Sequence, residues 1–188
     1  MYDITLEELW TRNSSIYDRE KKYVAFKMPD KIDFLKEKLK EVVPDEKALV
    51  YYGSPDFAEK KERDLSLFEE IINHKPGLTD KDVSIDRKTG DIRVKMFGKD
   101  DMLLPIEKLS SGEKNWLLIN FYLIFYAKYS RLILIDEPEV SLHPEWLINF
   151  KDNVERIFEG QDNQIIIATH SPSITYYSSD LMTEVRRG

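Results

Sequence analysis

Helical spacing of apolar positions dominates the first part of the chain. From Asp30 to Val43, the residues Ile32, Leu35, Leu39 and Val42 recur at steps of three or four, which predicts an amphipathic helix closed by Pro44. Asp56 to about Asn73 predicts a second helix, with Phe57, Leu65, Phe68 and Ile71 or Ile72 inward. Its charged run from Glu59 to Arg63 then forms a solvated face. Thr5 to Trp10 starts like a helix, with Thr5 and Glu8 at the spacing of a capping box. Tyr23 to Met28 reads as a strand ended by Pro29, and Ala48 to Tyr52 as a strand or a buried connector. His74 opens a Pro-Gly break and has no partner pattern that would make it a ligand.

The rhythm then shifts to a period of two. Ile92, Val94 and Met96 alternate with charged residues, and Gly90 sits in the turn that follows Val83 to Asp86, so a β-hairpin is predicted. Met102 to Ile106 continues as a short extended piece. After Gly112 the pattern becomes nearly all apolar. Trp116 to Tyr126, broken only by Asn120, predicts a helix buried on most sides. Arg131 to Ile135 and Gln164 to Ala168 read as buried parallel strands. Between them Pro144 to Glu159 has helical spacing, with Pro144 in the first turn and Gly160 after the end. Strand, helix, strand in this order makes a right-handed βαβ unit. The fold class is therefore α/β. Residues 1–80 are expected to form a mostly helical arm and residues 81–188 the lobe that carries the chemistry.

Composition narrows the function classes. The 188 residues are 41% hydrophobic and 34% charged, enough for a core under a highly charged surface. A net charge of -7 argues against broad adhesion to nucleic acid or anionic membrane. No cysteine is present, which excludes disulfides and thiolate metal sites. No apolar run approaches the roughly 20 residues of a bilayer span, and the acidic start lacks a secretion signal, so a cytoplasmic protein is expected.

Three phrases carry the candidate chemistry. Leu132-Ile-Leu-Ile-Asp136-Glu137-Pro-Glu is a buried strand ending in carboxylates, and unpaired buried charge is costly enough that these acids should face a cation or a proton-bearing group. In phosphoryl transfer the first acid of such a pair holds Mg²⁺ and the second orients or deprotonates water. Leu109-Ser110-Ser111-Gly112-Glu113-Lys114 places hydroxyls and a glycine at a helix start, where backbone N–H groups and the helix dipole favour an anion. The same residues could equally be a plain N-cap, with Ser110 or Ser111 as the cap. Ala168-Thr-His170-Ser-Pro puts a histidine at the end of the second strand, within reach of the acids through the βαβ geometry.

In this order the phrases resemble the C-terminal half of an ABC-class P-loop ATPase head: signature motif, Walker B strand, D-loop from Val140 to Pro144, and switch histidine. The wording is closest to the AAA-like ATPases grouped with chromosome-maintenance, RecF-type and OLD-type proteins. The resemblance covers about residues 65–182 and is vague before that. It implies ATP and Mg²⁺ as cofactors, Asp136 on the metal, Glu137 polarising water and His170 sensing the γ-phosphate. It implies that Ser110, Ser111, Gly112 and Glu113 meet a nucleotide held by an opposing subunit, and that Ser141 and His143 signal across a dimer interface. His143 could equally be a turn residue before Pro144. Nucleic acid enters as a partner by family analogy alone.

One departure matters. The sequence contains no GxxxxGK[ST] loop to hold phosphate. A Walker A-bearing lobe would then come from a longer parent or a separate chain, in a homo- or heterodimer, or catalysis has been lost. The expected function is an ATP-hydrolysing half-site coupled to DNA transactions or anti-phage defence. The alternative is a non-catalytic, nucleotide-gated interaction module.

Overall fold

The computed structural model describes residues 15–18, 23–26, 32–42, 55–74, 80–96, 102–128, 130–140 and 142–175. The helix expected at Thr5 to Trp10 and the segment Ala48 to Tyr52 lie outside these residues.

The predicted strand Arg131 to Ile135 forms as β6 (Leu132–Asp136), and Gln164–Ala168 forms β7. They pair in parallel with Asp136 opposite Ala168, as the βαβ reading requires. On its other side β6 pairs in parallel with β2 (Tyr23–Phe26), which pairs antiparallel with β1 (Ser15–Asp18). The sheet order is β1-β2-β6-β7. Residues 23–26, from the part of the chain expected to be mostly helical, thus lie beside the strand that carries Asp136. The carboxyl ends of β2, β6 and β7 open on one edge, where ligand chemistry gathers on parallel sheets.

The sheet is covered unevenly. Ile133 and Ile135 are buried, while Leu132 and Leu134 are only half-buried. The expectation that β7 is a buried strand is corrected: it forms one edge of the described sheet, and its central Ile166 is 48% exposed.

Helix α1 (Ile32–Val42) buries Leu35 and Leu39, and α2 (Pro55–Asn73) buries Leu65, Phe68, Ile71 and Ile72. The helical periodicity therefore marked the inner faces correctly. The main buried helix, α3, starts at Ser111 and runs to Tyr122, then widens into a π turn from Leu123 to Ala127. Every residue from Trp116 to Ile124 is buried, and Phe121 packs on Phe125 with ring centroids 4.9 Å apart and meets Phe68 edge-on at 6.1 Å. Burial of several aromatic side chains, each worth about 1.5–3 kcal/mol, makes this the centre of the core.

The hairpin forms as β3 (Lys81–Ile85) and β4 (Ile92–Met96), joined by β5 (Leu103–Leu104) in a second, antiparallel sheet. Gly90 adopts φ +72° in its turn, a conformation that side chains resist. The Asn73 amide at the end of α2 both donates to the Val83 carbonyl (2.7 Å) and accepts from its N–H (2.8 Å), fixing this sheet to the helix. A 3₁₀ turn, Ile106–Lys108, leads into α3.

The single helix expected from Pro144 to Glu159 is corrected to two. Helix α4 (Pro144–Ile148) ends at Asn149, which turns with φ -89° and ψ -2°, and α5 (Phe150–Ile157) follows. The Asn149 side chain donates to the Glu145 carbonyl at 3.1 Å, and such side chain–backbone bonds compete with helix continuation. A last short helix, α6, spans Pro172–Thr175.

Candidate functional site

The apolar run of β6 ends where its chain leaves the sheet, and this places Asp136 and Glu137 at the open edge. Asp136 is half-buried, and no cation pairs with it among the described residues. Glu137 takes φ +46°, a left-handed conformation that is uncommon for a side-chain-bearing residue. Its N–H donates to the Ala168 carbonyl at 2.8 Å, and its carbonyl accepts from Val140 N–H at 3.1 Å. The strained turn is therefore held from both sides. Strain of this kind costs about 1–3 kcal/mol and persists where the surroundings over-determine it, often at functional sites.

His170 follows β7 by two residues and projects into solvent, with 92% of its side chain exposed. Its Nε2 lies 3.8 Å from Glu137 Oε1, so the structure joins the two residues that the sequence singled out as catalytic. The histidine backbone is fixed by a residue given no role from sequence. Glu139 accepts the His170 N–H at 2.8 Å.

The helix-start phrase resolves toward capping. Ser110 is the N-cap of α3: its hydroxyl accepts from Glu113 N–H (3.2 Å), and the Glu113 carboxylate accepts from Ser110 N–H (2.7 Å). Glu113 is buried and its carboxylate also receives Lys81 Nζ of β3, at 2.7 and 2.9 Å. Burial opposes its charge, but Lys81 and Ser110 outweigh that and hold the carboxyl below the usual range. Glu113 thus faces inward, while Ser111 is exposed and Gly112 half-buried at the helix start. The amides of these first two helical residues have no intrahelical acceptor.

The helix start is tied to the acid loop by Asn115, whose amide donates to the Val140 carbonyl at 3.3 Å. Trp116 stacks on Trp146 of α4 at 5.9 Å and 25°. His143 acts as the N-cap of α4, its Nδ1 accepting from Glu145 N–H at 3.4 Å, with the imidazole largely exposed. Ser141 lies outside the described residues. Sequence reasoning had no way to find Lys81 and Asn115, whose roles depend on contacts between distant elements. Glu139 had a signal, a third acid behind Glu137 in the same loop.

The donor set can be weighed against Mg²⁺ and nucleotide. No group of three possible metal ligands occurs among the described residues. Mg²⁺ at a phosphoryl-transfer site needs only one or two carboxylates, with water and phosphate completing its shell, so the uncommitted Asp136 carboxylate fits. No described helix is long and apolar enough to cross a membrane.

A mixed β-sheet with acids at the carboxyl edge of its parallel strands, helices packed on it and an antiparallel sheet alongside fits the α/β fold of P-loop NTPases. The structure of an Smc head bound to the C-terminal winged-helix domain of ScpA is similar, with a TM-score of 0.51 over 75% of this chain and 43% of that one, at 18% identity. The family model described as AAA ATPase domain matches residues 5–175, and the chain belongs to that family. Among curated relatives, protein ea59 of Escherichia phage lambda is 31% identical over 58% of this chain and 19% of its own length. The cobalt import ATP-binding protein CbiO of Salmonella typhimurium is 33% identical over 45% of this chain and 30% of its own length. The Retron Ec83 probable ATPase of Escherichia coli is 30% identical over 42% of this chain and 16% of its own length. The chain spans less than a third of the length of each of these curated relatives.

Proposed function

We propose that this chain contributes the water-activating half of an ATPase site, completed by a Walker A-bearing lobe from a longer parent or a partner chain. The observation that carries the reading is the Glu137–His170 pair, assembled at the carboxyl edge of a parallel sheet beside Asp136. Its membership of an ATPase family supports the same reading.

Asp136 would hold Mg²⁺, directly or through water, and Glu137 would hold the attacking water. Bound Mg²⁺ supplies charge neutralisation on the phosphate oxygens. Glu137 accepts the water proton as the oxygen attacks, and its half-exposed carboxylate is reachable from the site mouth. His170 donates a hydrogen bond toward the phosphate from its exposed imidazole. Ser111 and Gly112 present backbone amides and a hydroxyl to the phosphate of a nucleotide held by the opposing lobe. Ser110 and Glu113 support that surface by capping the helix, and Ser141 and His143 would signal across the interface with that lobe. In this reading residues 81–188 form the catalytic lobe and 1–80 an arm that lends two strands, β1 and β2, to its sheet. The coupled work in this reading belongs to DNA transactions or anti-phage defence.

The test is assembly. The chain, mixed with the GxxxxGK[ST]-bearing lobe of its parent or genomic neighbour, should form an ATP-dependent complex that releases phosphate. Association that is equally strong without ATP, and without turnover, would overturn the reading.

A further inference from the structure

Glu139 is the acid of this loop that the reaction as described does not use. It stands on the same turn as Glu137, and two backbone hydrogen bonds hold that turn: Val140 N–H returns to Glu137, and Leu142 N–H donates to the Glu139 carbonyl at 3.0 Å. From this base the Glu139 side chain crosses to the loop after β7 and accepts the His170 N–H at 2.8 Å. The His170 imidazole is almost wholly exposed, so little packing holds it, and the Glu139 bond anchors the backbone from which it projects. The second oxygen of Glu139 is buried and has no hydrogen-bond partner among the described residues. A buried acceptor left unpaired is a cost to the fold, so stability alone does not account for an acid here.

We propose that Glu139 is a positioning residue for the reaction, a clasp that fixes His170 at its working distance from Glu137. This rests on the function proposed above. Because one hydrogen-bonded turn carries both the water-holding acid and the clasp, Glu137 and His170 are set relative to one another rather than separately. A displacement of about 1 Å at such a pair is enough to cost up to 10²-fold in rate. The role also predicts which part of the side chain matters. One carbonyl-type oxygen is needed, and the charge is not.

The experiment compares Glu139→Gln, which keeps that oxygen, with Glu139→Leu, which removes it. Amide hydrogen exchange on the 188-residue chain should show the His170 N–H protected in wild type and in Glu139→Gln and unprotected in Glu139→Leu. In the completed ATPase, Glu139→Leu should lower kcat about 10- to 100-fold with KM for ATP nearly unchanged, and Glu139→Gln should restore most of that loss. Combining Glu139→Leu with His170→Ala should cost little more than His170→Ala alone. Thermal melting of Glu139→Leu should stay near wild type, since an unpaired buried oxygen is also removed. If the assembly turns over and depends on Glu137 while Glu139→Leu leaves kcat unchanged, or adds fully to His170→Ala, the clasp is overturned and the function stands. If the assembly never turns over, the function falls and the clasp with it.

Discussion

Glu137 Oε1 and His170 Nε2 sit 3.8 Å apart although they come from different strands, because β6 and β7 pair in parallel with Asp136 opposite Ala168. The distance is slightly longer than a direct hydrogen bond and lies within the range of an ion pair once the imidazole is protonated.

The backbone of Glu137 carries its own prediction. At φ +46° an alanine is strained and a glycine is not. Glu137→Gly should therefore be more stable than Glu137→Ala by about 1 kcal/mol. Both variants should lose ATP turnover. Urea unfolding midpoints measure the first effect; equal midpoints for the two variants would contradict the left-handed turn.

Gly90 is constrained by space as well as by φ. A Cβ there would stand 2.9 Å from the Lys40 Cα in α1, a backbone atom that cannot swing aside. Gly90→Ala should destabilise by about 1–3 kcal/mol, read as a lowered denaturation midpoint without change in slope. A neutral result would mean that α1 does not pack on the hairpin turn.

Glu113 links stability to pH. Its carboxyl is held below the usual range in the fold, so its contribution is fully present above the unfolded value of about 4.3 and is lost as pH falls through the lower folded value. Glu113→Gln leaves Lys81 largely buried without its partner and should cost about 1–3 kcal/mol at neutral pH. That deficit should shrink as the pH is brought toward 3. A deficit independent of pH would show that the Lys81 bond is not what Glu113 contributes.

Trp146 joins α4 to the core helix by stacking on Trp116. With 6% of its surface exposed, Trp146→Ala should cost about 3–5 kcal/mol. Equilibrium unfolding checks this, and a cost below 1 kcal/mol would mean that the site loop is not braced from this side.

Much of this fold is legible in the chain because its signals are local. The spacing of Leu35, Leu39, Leu65 and Phe68 marked inner helix faces, and all four are buried. The aliphatic run before Asp136 announced a strand, and the acids and His170 fell at strand ends that the structure brings together. What stayed hidden depends on distant partners. No periodicity in Tyr23–Phe26 says that it pairs with β6, and nothing near Glu113 points to Lys81. The exposure of β7 was equally invisible, since Ile165, Ile166 and Ile167 read as buried wherever they stand. Asn149 broke a helix whose apolar spacing runs straight through it, by bonding back to Glu145.

The central claim is that Glu137 activates the water that attacks ATP. The direct measurement is the rate of phosphate release from the completed assembly, with wild-type chain and with Glu137→Gln. The account predicts a loss of about 10²-fold or more in kcat, with ATP still bound and the assembly still formed. An unchanged rate would contradict it.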